Sequence, residues 1–284
     1  MGTLVFVAGL SHAPGLTGWL DQAPKKEQKS LTNGFNHLGK LLQSTNPDLI
    51  IGLANDHLLN MPVNDPHDFC VGLAEVWKGP AEWFQEWINV EPYNVIGSPG
   101  ASKTLLEGLS KRNFDIISKK ELLFDDNWSV PLKFLTPHFN IPFVPIHMNC
   151  IMPPIPSPEI CYQLGQTIKE IVENDLPQEL RVAFIGTGGL SHDPGGPKYF
   201  DVDEKFDRWF LSLLEEGDSV KLLKECTLEK MCKAGDGGTT ELLAWIAAMG
   251  MVNGRAAKVL CYEPAVELRS GMGCVYWDME IGAK

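Results

Sequence analysis

Three histidines occupy the same kind of place in the chain, each just past an apolar run: Leu10-Ser11-His12-Ala13-Pro14, Ala54-Asn55-Asp56-His57 and Gly186-Thr187-Gly188-Gly189-Leu190-Ser191-His192. An imidazole can ligate a metal, move a proton or pack against a loop carbonyl. In an open α/β sheet, ligands gather beyond the carboxyl ends of the strands, so histidines set there can converge although they lie far apart in sequence. Glu241, within Gly237-Gly238-Thr239-Thr240-Glu241-Leu242-Leu243-Ala244-Trp245, is the best-placed carboxylate, in the first turn of an otherwise apolar helix. That position also suits a simple interaction with the helix dipole. Two neutral imidazoles and one carboxylate on one face of an ion leave positions open for substrate and oxygen, as in non-haem Fe(II) oxygenases. Only three ligands are needed, so one histidine is left over for acid–base work.

The remaining candidates carry less. His37 falls mid-helix, His67 and His138 sit in Pro-containing loops, and His147 ends an apolar strand, which favours surface or packed roles. Gly186-Thr187-Gly188-Gly189 matches neither dinucleotide nor Walker phosphate loops. Ser191 beside His192 lacks the G-x-S-x-G elbow of a serine hydrolase.

Short apolar runs at 3–8, 48–53, 142–147, 181–185, 257–262 and 273–281 read as core strands. Helical periodicity occupies 25–43, 101–112, 158–174, 202–216, 218–234 and 238–249. The alternation implies an α/β fold, with a central mixed sheet and helices on both faces. Pro- and aromatic-rich stretches at 60–97 and 124–156 read as long excursions above the sheet, where functional loops concentrate. No linker or repeat divides residues 1–284, so a single catalytic domain is expected.

With 24 Lys and Arg against 36 Asp and Glu, the net charge of −12 disfavours nucleic acid and anionic membranes as partners. A small molecule is the expected partner. No apolar run approaches the ~18 residues of a membrane span, and the opening segment lacks the basic start of a signal peptide. Seven scattered cysteines without a C-x-x-C pair suit neither a disulfide framework nor a zinc–thiolate site, and point to the reducing cytoplasm.

Taken together and in order, Ser11-His12-Ala13-Pro14, Asn55-Asp56-His57, the Gly186–His192 block and the Gly-rich segment before Glu241 resemble the class III extradiol ring-cleaving dioxygenases. The likeness is to the catalytic β subunits of protocatechuate 4,5-dioxygenase and to gallate and methylgallate dioxygenases. Pro153-Pro154-Ile155-Pro156-Ser157 and Phe200-Asp201-Val202-Asp203-Glu204-Lys205-Phe206-Asp207 extend it. The resemblance implies that His12, His57 and Glu241 hold Fe(II), that His192 is the acid–base histidine, and that O2 is the co-substrate of an aromatic ring. Asp126, Thr187, Gly188 and Ser191 are the expected substrate neighbours. The resemblance also implies a homo-oligomer, and leaves room for a small second subunit.

One position departs from the family. Asp125-Asp126-Asn127-Trp128-Ser129-Val130-Pro131-Leu132 stands where relatives carry Asp-His-Gly and, further on, Val-Pro-Leu, so Asp126 replaces a second active-site histidine. A carboxylate only accepts hydrogen bonds, so the expected substrate is a ring offering N–H there, an aminophenol or a hydroxypyridone such as 3-hydroxy-4-pyridone, beside plain catechols. Two other readings compete: a zinc-dependent hydrolase at the same His/His/Glu set, and a non-catalytic partner subunit of a heteromeric dioxygenase.

Overall fold

A computed structural model describes residues 2–279. Its strands are β1 (Thr3–Leu10), β2 (Leu49–Asn55), β3 (Phe69–Gly72), β4 (Val76–Gly79), β5 (Tyr93–Ile96), β6 (Ile116–Lys119), β7 (Phe143–Met148), β8 (Arg181–Thr187), β9 (Lys258–Glu263) and β10 (Met272–Trp277). Eight of them form one mixed sheet in the order β6-β3-β7-β2-β8-β1-β10-β9, with β4 and β5 paired separately. β7, β2, β8 and β1 run parallel at its centre, while β10 and β9 add an antiparallel edge. The expected α/β architecture is therefore present.

Alternation along the strands creates two apolar layers. On β1 the register shifts between Leu4 and Phe6, so Leu4 and Val7 join one cluster and Phe6, Ala8 and Leu10 the other; on β8, Val182 and Phe184 oppose Ala183 and Ile185. The first layer is covered by the helices Pro99–Lys111, Pro158–Asn174, Glu204–Glu216 and Leu243–Met251, the second by Lys25–Ser44 and Asp126–Leu135. Every residue of Leu243–Met251 is buried. It lies against glycines of the sheet: a Cβ on Gly186 would stand 2.2 Å from the Ala244 carbonyl oxygen. That close approach brings the N-terminal end of this helix, and Glu241 with it, to the strand ends.

Three expectations need correction. The stretch 60–97 is not an excursion throughout, since β3 lies within the main sheet between β6 and β7 and β4–β5 form a ribbon. The segment 124–156 contains, besides β7, the helix Asp126–Leu135. Helix 218–234 is two helices, Ser219–Glu225 and Leu228–Ala234, because the Thr227 side chain accepts from the Lys230 N–H and caps a new start. Of the strand expected at 273–281, residues 280 and 281 lie outside the described residues. No helix among the described residues is long and apolar enough to cross a membrane.

Candidate metal centre

Adjacent parallel strands β2, β8 and β1 end together, with Leu10 and Ala54 both in register with Thr187. His12 and His57 follow two of these ends and His192 the loop after the third. Glu241 arrives from the opposite side, on the 3-10 turn Thr239–Leu242 that leads into Leu243–Met251. The Gly186–Gly189 run permits this meeting: a Cβ on Gly188 would stand 2.6 Å from the Glu241 carbonyl oxygen. The glycines serve helix packing, not phosphate binding.

The four side chains converge. Glu241 Oε2 lies 3.2 Å from His12 Nε2, and Oε1 lies 3.1 Å from His57 Nε2 and 3.6 Å from His192 Nε2. The Gly189 N–H and the Asn55 amide also donate to this carboxylate, at 2.6 and 3.3 Å. His12 and Glu241 are nearly inaccessible, whereas the His57 side chain is 25% exposed and His192 17%, facing the cavity.

Outer partners set the tautomers. The helix Asp126–Leu135 contains Pro131, which has no N–H to give the Asn127 carbonyl one turn back. Thr187 Oγ1 donates to that carbonyl instead, at 3.0 Å. Its single hydrogen thus used, Thr187 can only accept from His12 Nδ1–H, 2.7 Å away. His57 Nδ1 faces the buried Asp125 carboxylate at 2.8 Å and therefore donates as well. Both neutral rings then aim Nε2 lone pairs at carboxylate oxygens just over 3 Å away. Acceptor facing acceptor is unfavourable unless a proton or a cation lies between them. Donors sharing one ion at roughly 2.1 Å and a right angle stand about 3 Å apart, so the set suits a metal.

The electrostatics agree. Burial disfavours the His57 imidazolium, yet the charges of Asp125 and Asp126 and hydrogen bonds to Asp125 and Glu241 hold it well above the ordinary imidazole range. Burial likewise disfavours the Glu241 carboxylate, but His12 and His192 outweigh it and hold Glu241 well below the usual range. An ion would take the place of these protons. His192 is also raised, with burial opposing and Glu241 prevailing. Its Nδ1 faces the Leu190 carbonyl at 2.9 Å, which leaves Nε2 turned toward Glu241 and the cavity.

Asp126 begins its helix, 3.5 Å from His57 Nδ1, and lines the cavity with the histidines. Burial, opposed by His57 and reinforced by the Asp125 charge, raises its carboxyl to about 6. His12, His57 and Asp126 also offer ligand atoms that all lie within 4.8 Å of one another, so two carboxylates flank the imidazole pair. The cavity measures about 440 Å³, its walls carrying Trp19, Leu58, Phe84, Trp87, Ile151 and Tyr199.

Thr187, Gly188 and Ser191 stand behind this surface. Thr187 serves His12 as described, Gly188 packs on Glu241, and Ser191 gives both its N–H and its hydroxyl to the buried Asp207, at 2.7 and 2.9 Å. None of the three lines the cavity. His147 is packed, taking the Trp128 indole N–H at 2.9 Å and facing Asp56 at 3.2 Å. Sequence reasoning passed over Asn55, Asp125 and Asn127, whose roles depend on contacts made only in the folded sheet.

The similarities to known proteins follow this geometry. A 2,3-dihydroxyphenylpropionate/2,3-dihydroxicinnamic acid 1,2-dioxygenase of Photorhabdus laumondii is 26% identical over 71% of this chain and 60% of its own length. A gallate dioxygenase of Pseudomonas putida is 27% identical over 56% of the chain and 47% of its own length. The chain thus spans less than two thirds of these two relatives. An Escherichia coli enzyme named like the first is 23% identical and matches over 93% of the chain and 95% of its own length. The crystal structure of an uncharacterized Escherichia coli K12 protein shares the fold, with TM-score 0.58 and 14% identity over 95% of this chain and 99% of that one. Residues 6–271 match the family described as the catalytic LigB subunit of aromatic ring-opening dioxygenase, and the chain belongs to that family.

Proposed function

We propose that the protein is an Fe(II)-dependent extradiol-type dioxygenase that opens a catechol, aminophenol or hydroxypyridone ring with O2. The observation that carries this reading is the pair of imidazole Nε2 atoms facing one carboxylate at 3.1 and 3.2 Å on the wall of a ring-sized cavity. His12, His57 and Glu241 would hold the ion. Ferrous iron, when bound, supplies Lewis acidity toward the ring oxygens and a redox path between ring and O2.

The chain's own groups do the rest. Thr187 and Asp125 fix the imidazole tautomers, which keeps both Nε2 lone pairs directed inward. His192 Nε2 takes a proton from a ring hydroxyl and returns it later in the turnover; Leu190 holds the ring in the orientation for this. Asp126 accepts a hydrogen bond from an N–H or amino group on the ring. Trp19, Phe84 and Trp87 offer aromatic surface against which the ring packs. The seven cysteines are all free, in keeping with a reducing cytoplasm. A homo-oligomer, with or without a small second subunit, is the expected assembly.

The test is oxygen uptake by anaerobically purified, Fe(II)-loaded protein offered protocatechuate, gallate, 2-aminophenol and 3-hydroxy-4-pyridone. Uptake with stoichiometric ring opening supports the reading, and a preference for the nitrogen-bearing rings supports the role of Asp126. A protein that retains zinc in place of iron and consumes no oxygen with any ring overturns it.

A further inference from the structure

The cavity wall carries one feature that the ring-opening reading leaves unused. Arg269 is the only lysine or arginine on it among the described residues. In a chain with 36 acidic residues, its guanidinium has no carboxylate within ion-pair distance among the described residues. An arginine at the edge of an apolar cavity normally finds such a partner.

It is nonetheless held in place. The guanidinium carbon lies 4.8 Å from the ring centroid of Tyr199, 5.5 Å from Phe200 and 5.8 Å from Trp19. The Tyr199 hydroxyl accepts from one Nη. Its backbone sits at φ 65°, in the left-handed region that a non-glycine residue enters at a cost. The loop beyond it is bonded to the loop of His192: Gly271 N–H donates to the Ser191 carbonyl at 3.0 Å, and Leu190 N–H to the Gly271 carbonyl at 3.3 Å. Arg269 therefore stands at a fixed offset from His192. Aromatic contact engages the face of a guanidinium and leaves donors on its edge for a planar acceptor.

The charges across the cavity are of the opposite sign, with Glu241 and Asp126 beside the histidines. Arg269 is the one permanently charged cation among the described residues of this wall, so an anionic substituent is attracted to it. We propose that Arg269 is a specificity-determining residue that anchors a carboxylate on the substrate ring and so turns the ring's oxygens toward His12 and His57. The proposal rests on the ring-opening reading and adds the residue of this chain that selects an acid-bearing ring over a neutral one.

The experiment measures anaerobic binding, by calorimetry on the Fe(II)-loaded protein, of 3,4-dihydroxybenzoate, its neutral amide 3,4-dihydroxybenzamide, and catechol. Wild type is expected to bind the acid about 10- to 100-fold more tightly than the amide, the range of one charge-assisted hydrogen-bond pair. Arg269→Met removes that preference while catechol affinity changes less than about threefold, and Arg269→Lys retains part of it. Equal binding of acid and amide by wild type overturns the proposal without any variant, and so does an equal loss of acid and catechol in Arg269→Met. Oxygen uptake on the same samples is read separately. An acid preference without uptake counts against the dioxygenase reading and leaves Arg269 its role; uptake without the preference does the reverse.

Discussion

A polar groove of about 510 Å³ beside the helix Pro158–Asn174 is roomier than the histidine cavity of about 440 Å³, yet the two differ in what water does to their charges. In the groove, Arg112 meets Glu170 at 3.5 Å and Lys169 meets Glu173 at 3.7 Å, three of these four side chains being well exposed and Lys169 itself 23% exposed. Such pairs are screened and contribute little. At the cavity, Glu241 and Asp126 on its wall and Asp125 behind His57 are all buried beside imidazoles, and each is displaced from its ordinary ionisation. Volume does not distinguish the two places. Desolvated acceptors that need a shared cation do.

The comparison breaks most visibly at the residues proposed to hold the ion. His12→Ala, His57→Ala or Glu241→Ala is expected to lose iron by metal analysis and to lower oxygen uptake by about 10³-fold or more. Asp126→Ala is expected to keep iron, which separates the two carboxylates flanking the imidazole pair. His192→Ala should also keep iron while kcat falls by about 10²- to 10⁴-fold, the range of a lost acid–base group; loss of iron there would erase the division between ligand and proton carrier.

A smaller effect is expected behind the cavity, at Asp207. This carboxylate accepts from the Ser191 N–H and hydroxyl and from the Tyr262 hydroxyl, and burial raises it to about 6 despite those bonds. Its folded pKa lies above its ordinary value of 3.8. The stability it contributes when protonated is therefore complete below about pH 4 and is lost as pH rises through about 6. Asp207→Asn should cost about 1–3 kcal/mol in urea unfolding at pH 4.5 and less at pH 7.5. A cost that grows with pH would mean that the carboxyl is ionised throughout. The smallest effect belongs to the groove: Arg112→Ala should leave turnover within about twofold and stability within about 0.5 kcal/mol.

The parts of this arrangement that were legible in sequence are those written in long apolar runs. β1, β2 and β8 and the histidines after them follow from pattern alone, because a buried parallel strand is nearly continuous in Val, Ile and Leu. β3 and β6 were not legible, since Phe69–Gly72 and Ile116–Lys119 are four residues each and too short for a period to show. The helix Asp126–Leu135 was hidden by Pro131, which reads as a breaker. Its consequence for the site was hidden too: the link from Pro131 through Asn127 and Thr187 to His12 joins residues brought together only by the folded sheet.

The donors come from far-separated points of the chain, His12 after the first strand, His57 after the second and Glu241 beyond the eighth. A nascent chain leaving the ribosome therefore displays both imidazoles long before the carboxylate that completes the set. An ion captured early would meet an incomplete set in an unformed sheet. On the proposed ligand set, metal loading would belong to the finished fold, and a bound ion would tie the first strand to the last buried helix, adding stability in proportion to the logarithm of its free concentration.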